Sequence, residues 1–487
     1  MSLSFDPAAI ELPEGHHIGG RLVPAETQMP VLRPSDGVAQ AGCPIADAGI
    51  VDQAVEAAKT ALKTSGWAGL RPRERVKALH RFADLIETEA ERLGRLESVV
   101  STRPIAQSIS GDVAITAEQI RFFAEFADKE GGTVAPTAQD KLGLIESEPY
   151  GVVGAITPWN FPISMAGWKL GPALAAGNAV VLKPSEMTPF TAVALAELSV
   201  RAGLPEGLVN VVLGDGATTG NALTGHPGIA KISFTGSTAA GAAIMGNIAR
   251  TGIKPMTLEL GGKSPQIVFA DADLDLAADC ITRGILSNAG QVCVAGSRVV
   301  AEASILDALR ERLVARFAQI APGPTWDETS SYSPIISERQ LARIKTILSS
   351  ARQTGAELII GGERLDRAGS FFAPTILAGV GPDSPAVREE IFGPVLTLQA
   401  FTDEAEALAL ADHPDYGLCA GVYTANLSRA IRITRSIRAG TVWVNRYGRS
   451  TDHILPTGGY KGSGLGKDLG REAYEANRRQ KSVLIDL

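Results

Sequence analysis

Cys293 closes the run Asn288-Ala289-Gly290-Gln291-Val292-Cys293, and 34 residues earlier Glu259 opens Glu259-Leu260-Gly261-Gly262-Lys263. A sulfur nucleophile in one glycine-bearing turn and a carboxylate in another suit covalent catalysis followed by base-assisted release. Each residue also has a plainer reading. A lone cysteine is most often a small buried hydrophobe, and a strand-end carboxylate often only accepts backbone hydrogen bonds. Against the first stand Gly290, Gln291, Ala295 and Gly296, whose free backbone N–H groups would lower the thiol pKa and hold an oxyanion. Against the second stand Leu258 and Leu260, an apolar frame that should raise the Glu259 pKa and suit it to general-base work. The six histidines (His16, His17, His80, His226, His413 and His453) all lie away from Cys293 in sequence, so a Cys–His hydrolase has no support here.

The elements that must position these residues alternate from about residue 150 onward. Residues 151–157 and 178–184 read as buried strands, as do 208–214 and 229–235. Thr188-Pro189 opens a helix running to about Gly203, with Thr188 as N-cap, and Ser237 caps another. Such alternation implies a parallel, doubly wound α/β sheet. A second α/β series begins near Ser264. Its helix from Ser304 carries Leu306, Leu309, Leu313, Phe317 and Ile320 as a core-facing stripe, and strands follow near 371–377, 395–401, 417–424 and 441–445. Residues 51–128 are mostly helical. Residues 134–150 and 481–487 read as extended, the second being either a frayed tail or a strand that bridges subunits, since an unpaired edge strand is a liability unless covered.

Two further runs sit at strand ends. Gly236-Ser237-Thr238-Ala239-Ala240-Gly241 follows a strand and opens a helix, where glycines allow a tight turn and the helix N-terminus can face a pyrophosphate. Thr238 interrupts the GxGxxG pattern, so a close helix–strand contact is the competing reading. Lys183-Pro184-Ser185-Glu186 lies at the carboxyl end of a strand, where ligands sit in open α/β sheets. A lysine and a carboxylate there could hold the two hydroxyls of an adenosine ribose, or could simply be a solvated loop pair.

Bulk properties narrow the class. The 487 residues exceed what one core usually serves, so two or three domains are expected. With 45% apolar and 20% charged residues the composition is that of a soluble globular protein. A formal charge of -7 with both signs interspersed makes nucleic acid an unfavoured partner. No signal peptide is visible at the N-terminus, and the apolar runs fall short of the roughly 18 residues a spanning helix needs. Cys43, Cys280, Cys293 and Cys419 are far apart, with no CxxC pair and no histidine cluster. No metal site is expected, and reduced thiols in the cytoplasm are.

Seven ordered motifs then make the chain resemble the aldehyde dehydrogenase superfamily. They are residues 157–162 (TPWNFP), 183–186 (KPSE), 234–238 (FTGST), 259–263 (ELGGK), 290–293 (GQVC), 390–394 (EIFGP) and 458–461 (GGYK). The resemblance runs from about Pro34 to the C-terminus. It implies an α/β fold with a Rossmann-like cofactor domain (1–130 and 151–260), an α/β catalytic domain (261–457) and a small β bridging element (131–150 and 458–487) in a dimer or a dimer of dimers. It implies Cys293 as nucleophile, Asn160 and the Cys293 backbone N–H as oxyanion donors, and Glu259 as the base that activates water on a thioester.

The same mapping assigns a cofactor surface. Ile156, Thr157, Pro158 and Trp159 belong to it, with Lys183, Ser185 and Glu186 toward the ribose. Gly216, Gly220, Phe234, Gly236 and Ser237 lie toward the pyrophosphate, and Leu260, Gly261, Glu390 and Phe392 toward the nicotinamide. Glu186 would repel a 2′-phosphate, so NAD is expected over NADP, with NADP use still open. Met165, Trp168 and Leu455 suggest apolar walls for an aldehyde pocket. Two departures stand out: Ala239 and Ala240 replace larger residues, and Thr457 replaces an aromatic of several relatives. A CoA-acylating semialdehyde dehydrogenase and a structural reuse of the fold are the rivals. Glu259 argues against the first, and the joint presence of Cys293, Glu259 and Asn160 against the second.

Overall fold

A computed structural model describes residues 2–449 and 453–487. Its larger sheet has eight strands in the order Arg21–Val23, His16–Ile18, Val209–Val211, Ala179–Lys183, Val152–Ile156, Lys231–Thr235, Met256–Glu259 and Gly464–Leu465. The five strands from Val209–Val211 to Met256–Glu259 are mutually parallel. Four of them are buried along their whole length, and in Met256–Glu259 only Met256 is part-exposed. Parallel strands covered on both faces read as continuous apolar runs, which is why the sequence revealed them. Chain order reverses between Val152–Ile156 and Lys231–Thr235, and crevices at such reversals are where doubly wound sheets bind ligands.

The second sheet has seven strands in the order Glu357–Ile360, Thr375–Ala378, Val395–Phe401, Arg298–Glu302, Pro265–Val268, Cys419–Tyr423 and Thr441–Val444. All neighbours are parallel except the first pair. The core around the first sheet draws on residues from Ile18 to Leu260 plus Leu469, Ala473 and Tyr474, whereas separate clusters drawn from 267 to 447 pack around the second. The α/β fold class read from the sequence is the one observed. No helix among the described residues is long and apolar enough to cross a membrane.

Several local expectations need correction. The helix after Lys183 starts at Phe190, not Pro189, and Thr188 does not cap it. The Thr188 hydroxyl has no partner, while its backbone N–H closes a turn onto the Ser185 carbonyl. Ser237 does cap its helix, Thr238–Thr251, by accepting from the Ala240 N–H. In the Leu306–Phe317 helix Leu309, Leu313 and Phe317 are buried, but Ile320 lies beyond the end. The strand placed near 371–377 begins only at Thr375; Phe372 makes an isolated bridge to Arg364. The C-terminal stretch is not frayed. Arg478–Asp486 pairs antiparallel with Lys141–Pro149 over nine residues, and Thr133–Ala135 flanks the far side.

Candidate active site

The backbone around Cys293 is bent into a form that ordinary residues avoid. Asn288 and Ala289 have φ of 48° and 50°, and Gly290 has φ of 73°. A side chain at Gly290 would meet the Gly393 carbonyl at 2.1 Å, so only glycine fits there. Side chains hold the turn in place. The Thr102 hydroxyl donates to Asn288 Oδ1 at 2.6 Å, and Asn288 Nδ2 donates to the Asn160 carbonyl at 2.9 Å. Gln291 Nε2 donates to the Asn288 and Pro334 carbonyls, and Gln291 Oε1 accepts from the Ile336 N–H. The Asn160 amide returns the connection by donating to the Gln291 carbonyl at 2.9 Å.

This network brings Asn160 beside the Cys293 loop, although the two are far apart in sequence. Two of the N–H groups expected to be free are used, since Gln291 donates to Asn288 and Ala295 to Val292. Among the described residues the Cys293 N–H has no protein acceptor. An amide group has two N–H donors, so Asn160 keeps one beyond its bond to Gln291. These two donors are what an oxyanion hole requires. The expected lowering of the thiol pKa is not found. Burial raises it, Glu259 and Glu390 add to the rise, and only the positive charge of the Arg449 guanidinium opposes it. Cys293 is nevertheless half-buried and not sealed.

Glu259 ends its strand opposite Thr235 on one side and Gly464 on the other. It is 4% exposed, and its Oε1 has no hydrogen-bond partner. A Cβ on Gly458 would lie 2.8 Å from that oxygen, so the glycine leaves the carboxyl its space. Burial first, and Asp468 second, push the Glu259 pKa up to about 8, as the apolar frame led one to expect. Lys169 opposes the rise and pairs with Asp468 at 2.5 Å, both side chains being buried.

The residues assigned to a dinucleotide converge on the carboxyl edge of the first sheet at its point of reversal. Ile156 ends one strand and Thr157 follows it, its N–H binding the Lys183 carbonyl at the end of the next. Lys183 Nζ lies 2.9 Å from the Pro184 carbonyl and 3.8 Å from Glu186, and the Ser185 hydroxyl accepts from the Met187 N–H. A Cβ on Gly220 would lie 4.0 Å from the Lys183 side chain, while one on Gly216 would face open space. Phe234 and Gly236 lead into Ser237 and its helix. A Cβ on Gly236 would meet the Phe234 ring at 2.4 Å, so a close helix–strand contact is part of that glycine's explanation.

Leu260 packs against Gly241, and Glu390 Oε1 accepts from the Gly262 N–H beside Gly261. Burial raises the Glu390 pKa to about 7. Trp159, just after Pro158, meets Phe392 edge-on at 5.3 Å. The hydroxyls of Thr157 and Thr235 are buried at the ends of adjacent strands without partners. Orphaned donors at a sheet reversal, next to a capped helix N-terminus, fit a phosphorylated, hydroxyl-rich cofactor. Among the described residues no group of three or more His, Cys, Asp or Glu could hold a metal ion.

Three residues at the site escaped the sequence reading. Lys169 is the only charge in the wholly buried Pro162–Ala175 helix, a signal that was there to be used. Its partner Asp468 gave none. Arg449 follows the last strand of the second sheet, with its guanidinium 5.0 Å over the Trp168 ring and Nη2 donating to Thr457 Oγ1 at 2.8 Å. The pocket is therefore not uniformly apolar. Met165 and Trp168 are buried, but Leu455 is 66% exposed.

The family model described as "Aldehyde dehydrogenase family" matches residues 22–483. An aldehyde dehydrogenase of Alternaria alternata is 42% identical over 90% of this chain and 88% of its own length. The cytosolic 10-formyltetrahydrofolate dehydrogenase of Xenopus tropicalis is 37% identical over 98% of this chain, which spans only 54% of that longer protein. The P. syringae indole-3-acetaldehyde dehydrogenase, a mutant solved in complex with NAD+, superposes with a TM-score of 0.96 at 39% identity, covering 99% of this chain and 98% of that one.

Proposed function

Because this chain belongs to the aldehyde dehydrogenase family, we propose that it oxidises an aldehyde to a carboxylic acid with NAD, through a thioester on Cys293. The observation that carries the reading is the half-buried Cys293 thiol, with its own N–H unpaired, the Asn160 amide beside its loop and the unpartnered Glu259 oxygen buried nearby. The thiolate adds to the aldehyde carbon, and the oxyanion is held by the Cys293 N–H and the Asn160 amide, each such donor lowering the barrier by about 3 kcal/mol. NAD, when bound, supplies the acceptor for the hydride that leaves that carbon. Glu259 then takes a proton from water as the water attacks the thioester, and the thiolate departs with the acid released. In sum, aldehyde, NAD and water become carboxylate, NADH and two protons.

Lys183, Ser185 and Glu186 would hold the adenosine ribose, with the Gly216–Gly220 turn, Gly236 and Ser237 around the pyrophosphate. Trp159, Leu260, Gly261, Glu390 and Phe392 would border the nicotinamide. The Glu186 carboxylate favours NAD over NADP by repelling a 2′-phosphate. Purified protein supplied with either cofactor and a panel of aldehydes tests this. NADH and free acid should form in equal amounts, faster than NADPH, and Cys293→Ala should abolish both while NAD still binds. Formation of acyl-CoA on adding CoA would assign the acyl acceptor to a thiol and overturn the role of Glu259.

Two further parts of the reading concern setting and assembly. All four cysteines are unpaired, in keeping with a reducing cytoplasm. The three-stranded sheet of Thr133–Ala135, Lys141–Pro149 and Arg478–Asp486 would be the bridging element of a homodimer or homotetramer. The support is its long open edge and one apolar face made of Val134, Leu142, Leu144, Val483 and Ile485, which the register places together. Residues 458–475 do not join that sheet. They supply Gly458 beside Glu259, Asp468 beside Lys169, and the Gly464–Leu465 strand.

A further inference from the structure

We infer that Arg449 is the anchor for a carboxylate on the substrate, so that the preferred aldehyde is a short one carrying an acid group, and the product a dicarboxylate. This rests on the aldehyde-oxidising reading above and names the substrate class of that same site. The guanidinium is bracketed by two elements of the pocket. It lies over the Trp168 ring, one helical turn from Met165, and it donates to Thr457. Thr457 adjoins Gly458, which abuts the Glu259 carboxyl, so Arg449 stands beside the reacting centre. The hydroxyl at 457 gives the guanidinium an acceptor that an aromatic hydrocarbon ring would not.

The charge is half-buried, and among the described residues no carboxylate is within ion-pair distance of it. A guanidinium has five N–H donors in a planar fork. Thr457 accepts from Nη2, and among the described residues no other protein group accepts from the fork. A partly desolvated cation in that state favours a bidentate anion, and a carboxylate matches the fork. Length follows from the same contact. Because Thr457, which accepts from the guanidinium, adjoins the Gly458 that abuts the Glu259 carboxyl, the anchor stands close to the reacting carbon, and the acid group has to sit only a few bonds from it.

The full chain with NAD and matched pairs of aldehydes tests this: 3-oxopropanoate against propanal, and succinic semialdehyde against butanal. The wild type should favour the acid of each pair by about tenfold or more in kcat/KM, and Arg449→Met should cut that ratio by about 100-fold, as expected for truncating one partner of a buried charged pair. Arg449→Lys should restore part of the ratio. A wild type that prefers the neutral member of each pair, or neither, overturns the inference without needing a variant. So does an Arg449→Met enzyme that loses both members equally, with the pH dependence of its first turnover moved upward, since Arg449 would then serve the thiolate alone. Activity on neutral aldehydes in those cases leaves the general reading standing, whereas no NADH from any aldehyde would remove both.

Discussion

Glu259 is a base only when its proton is gone, and its surroundings make that harder. Burial and the neighbouring Asp468 raise its pKa to about 8, so the protonated form dominates below that value and the reactive carboxylate above it. Thioester hydrolysis should therefore accelerate as pH rises through that region and level off beyond it. Glu259→Gln should keep the rapid first release of NADH yet slow steady turnover by about 100-fold or more, with the pH step removed. Stopped-flow bursts alongside steady-state rates distinguish the two phases. A variant that loses the burst as well would place Glu259 in thiol activation and not in hydrolysis. Burial also raises the Cys293 pKa, so its first turnover should gain from alkali too, and only the separated phases assign each effect.

The turn that carries Cys293 depends on a helix far from it in sequence. Thr102 lies just past the Ala90–Val100 helix, and its hydroxyl ties down Asn288, which in turn binds the carbonyl of Asn160. Both Asn288 and Ala289 are held in the left-handed region, which costs on the order of 1–2 kcal/mol per residue outside glycine. Thr102→Val keeps the shape but strands the buried Asn288 oxygen, a loss of about 1–3 kcal/mol. The melting temperature should fall, and kcat/KM should drop about tenfold because Asn160 loses its brace. Unchanged stability and turnover in thermal and kinetic assays would show that the turn holds itself. The motif around Cys293 was legible because its residue types are local. The brace was not, because Thr102 and Asn288 are 186 residues apart.

At the scale of the whole molecule, the sheet built from both ends of the bridging element leaves a nine-residue edge, Arg478–Asp486, open to pairing. Val134 and Ile485 on its apolar face are 68% and 43% exposed. A second copy of the chain would extend the edge or cover the face. Light scattering behind size exclusion should find a dimer or tetramer for the native chain. Val134→Asp with Ile485→Asp should shift it toward monomer while the two larger sheets keep their far-ultraviolet signal. A native chain that runs as a monomer at micromolar concentration would remove the assembly reading.

Strand runs, helix stripes and the residue types at strand ends were readable from the chain because they depend on neighbours a few positions away. Burial on both faces leaves continuous apolar strands, and turns demand glycine. Hence the α/β fold, Cys293 and Glu259 could be named before any coordinates, while Asn160 and most of the cofactor edge came from the resemblance that the ordered motifs carry. Lys169 with Asp468, Arg449 over Trp168, and the pairing of residues 141–149 with 478–486 could not. Each joins segments hundreds of residues apart, and no local preference encodes which charge meets which across a folded core. Whether a thiol is more or less acidic belongs to the same class: free N–H groups argued one way, and packing reversed it.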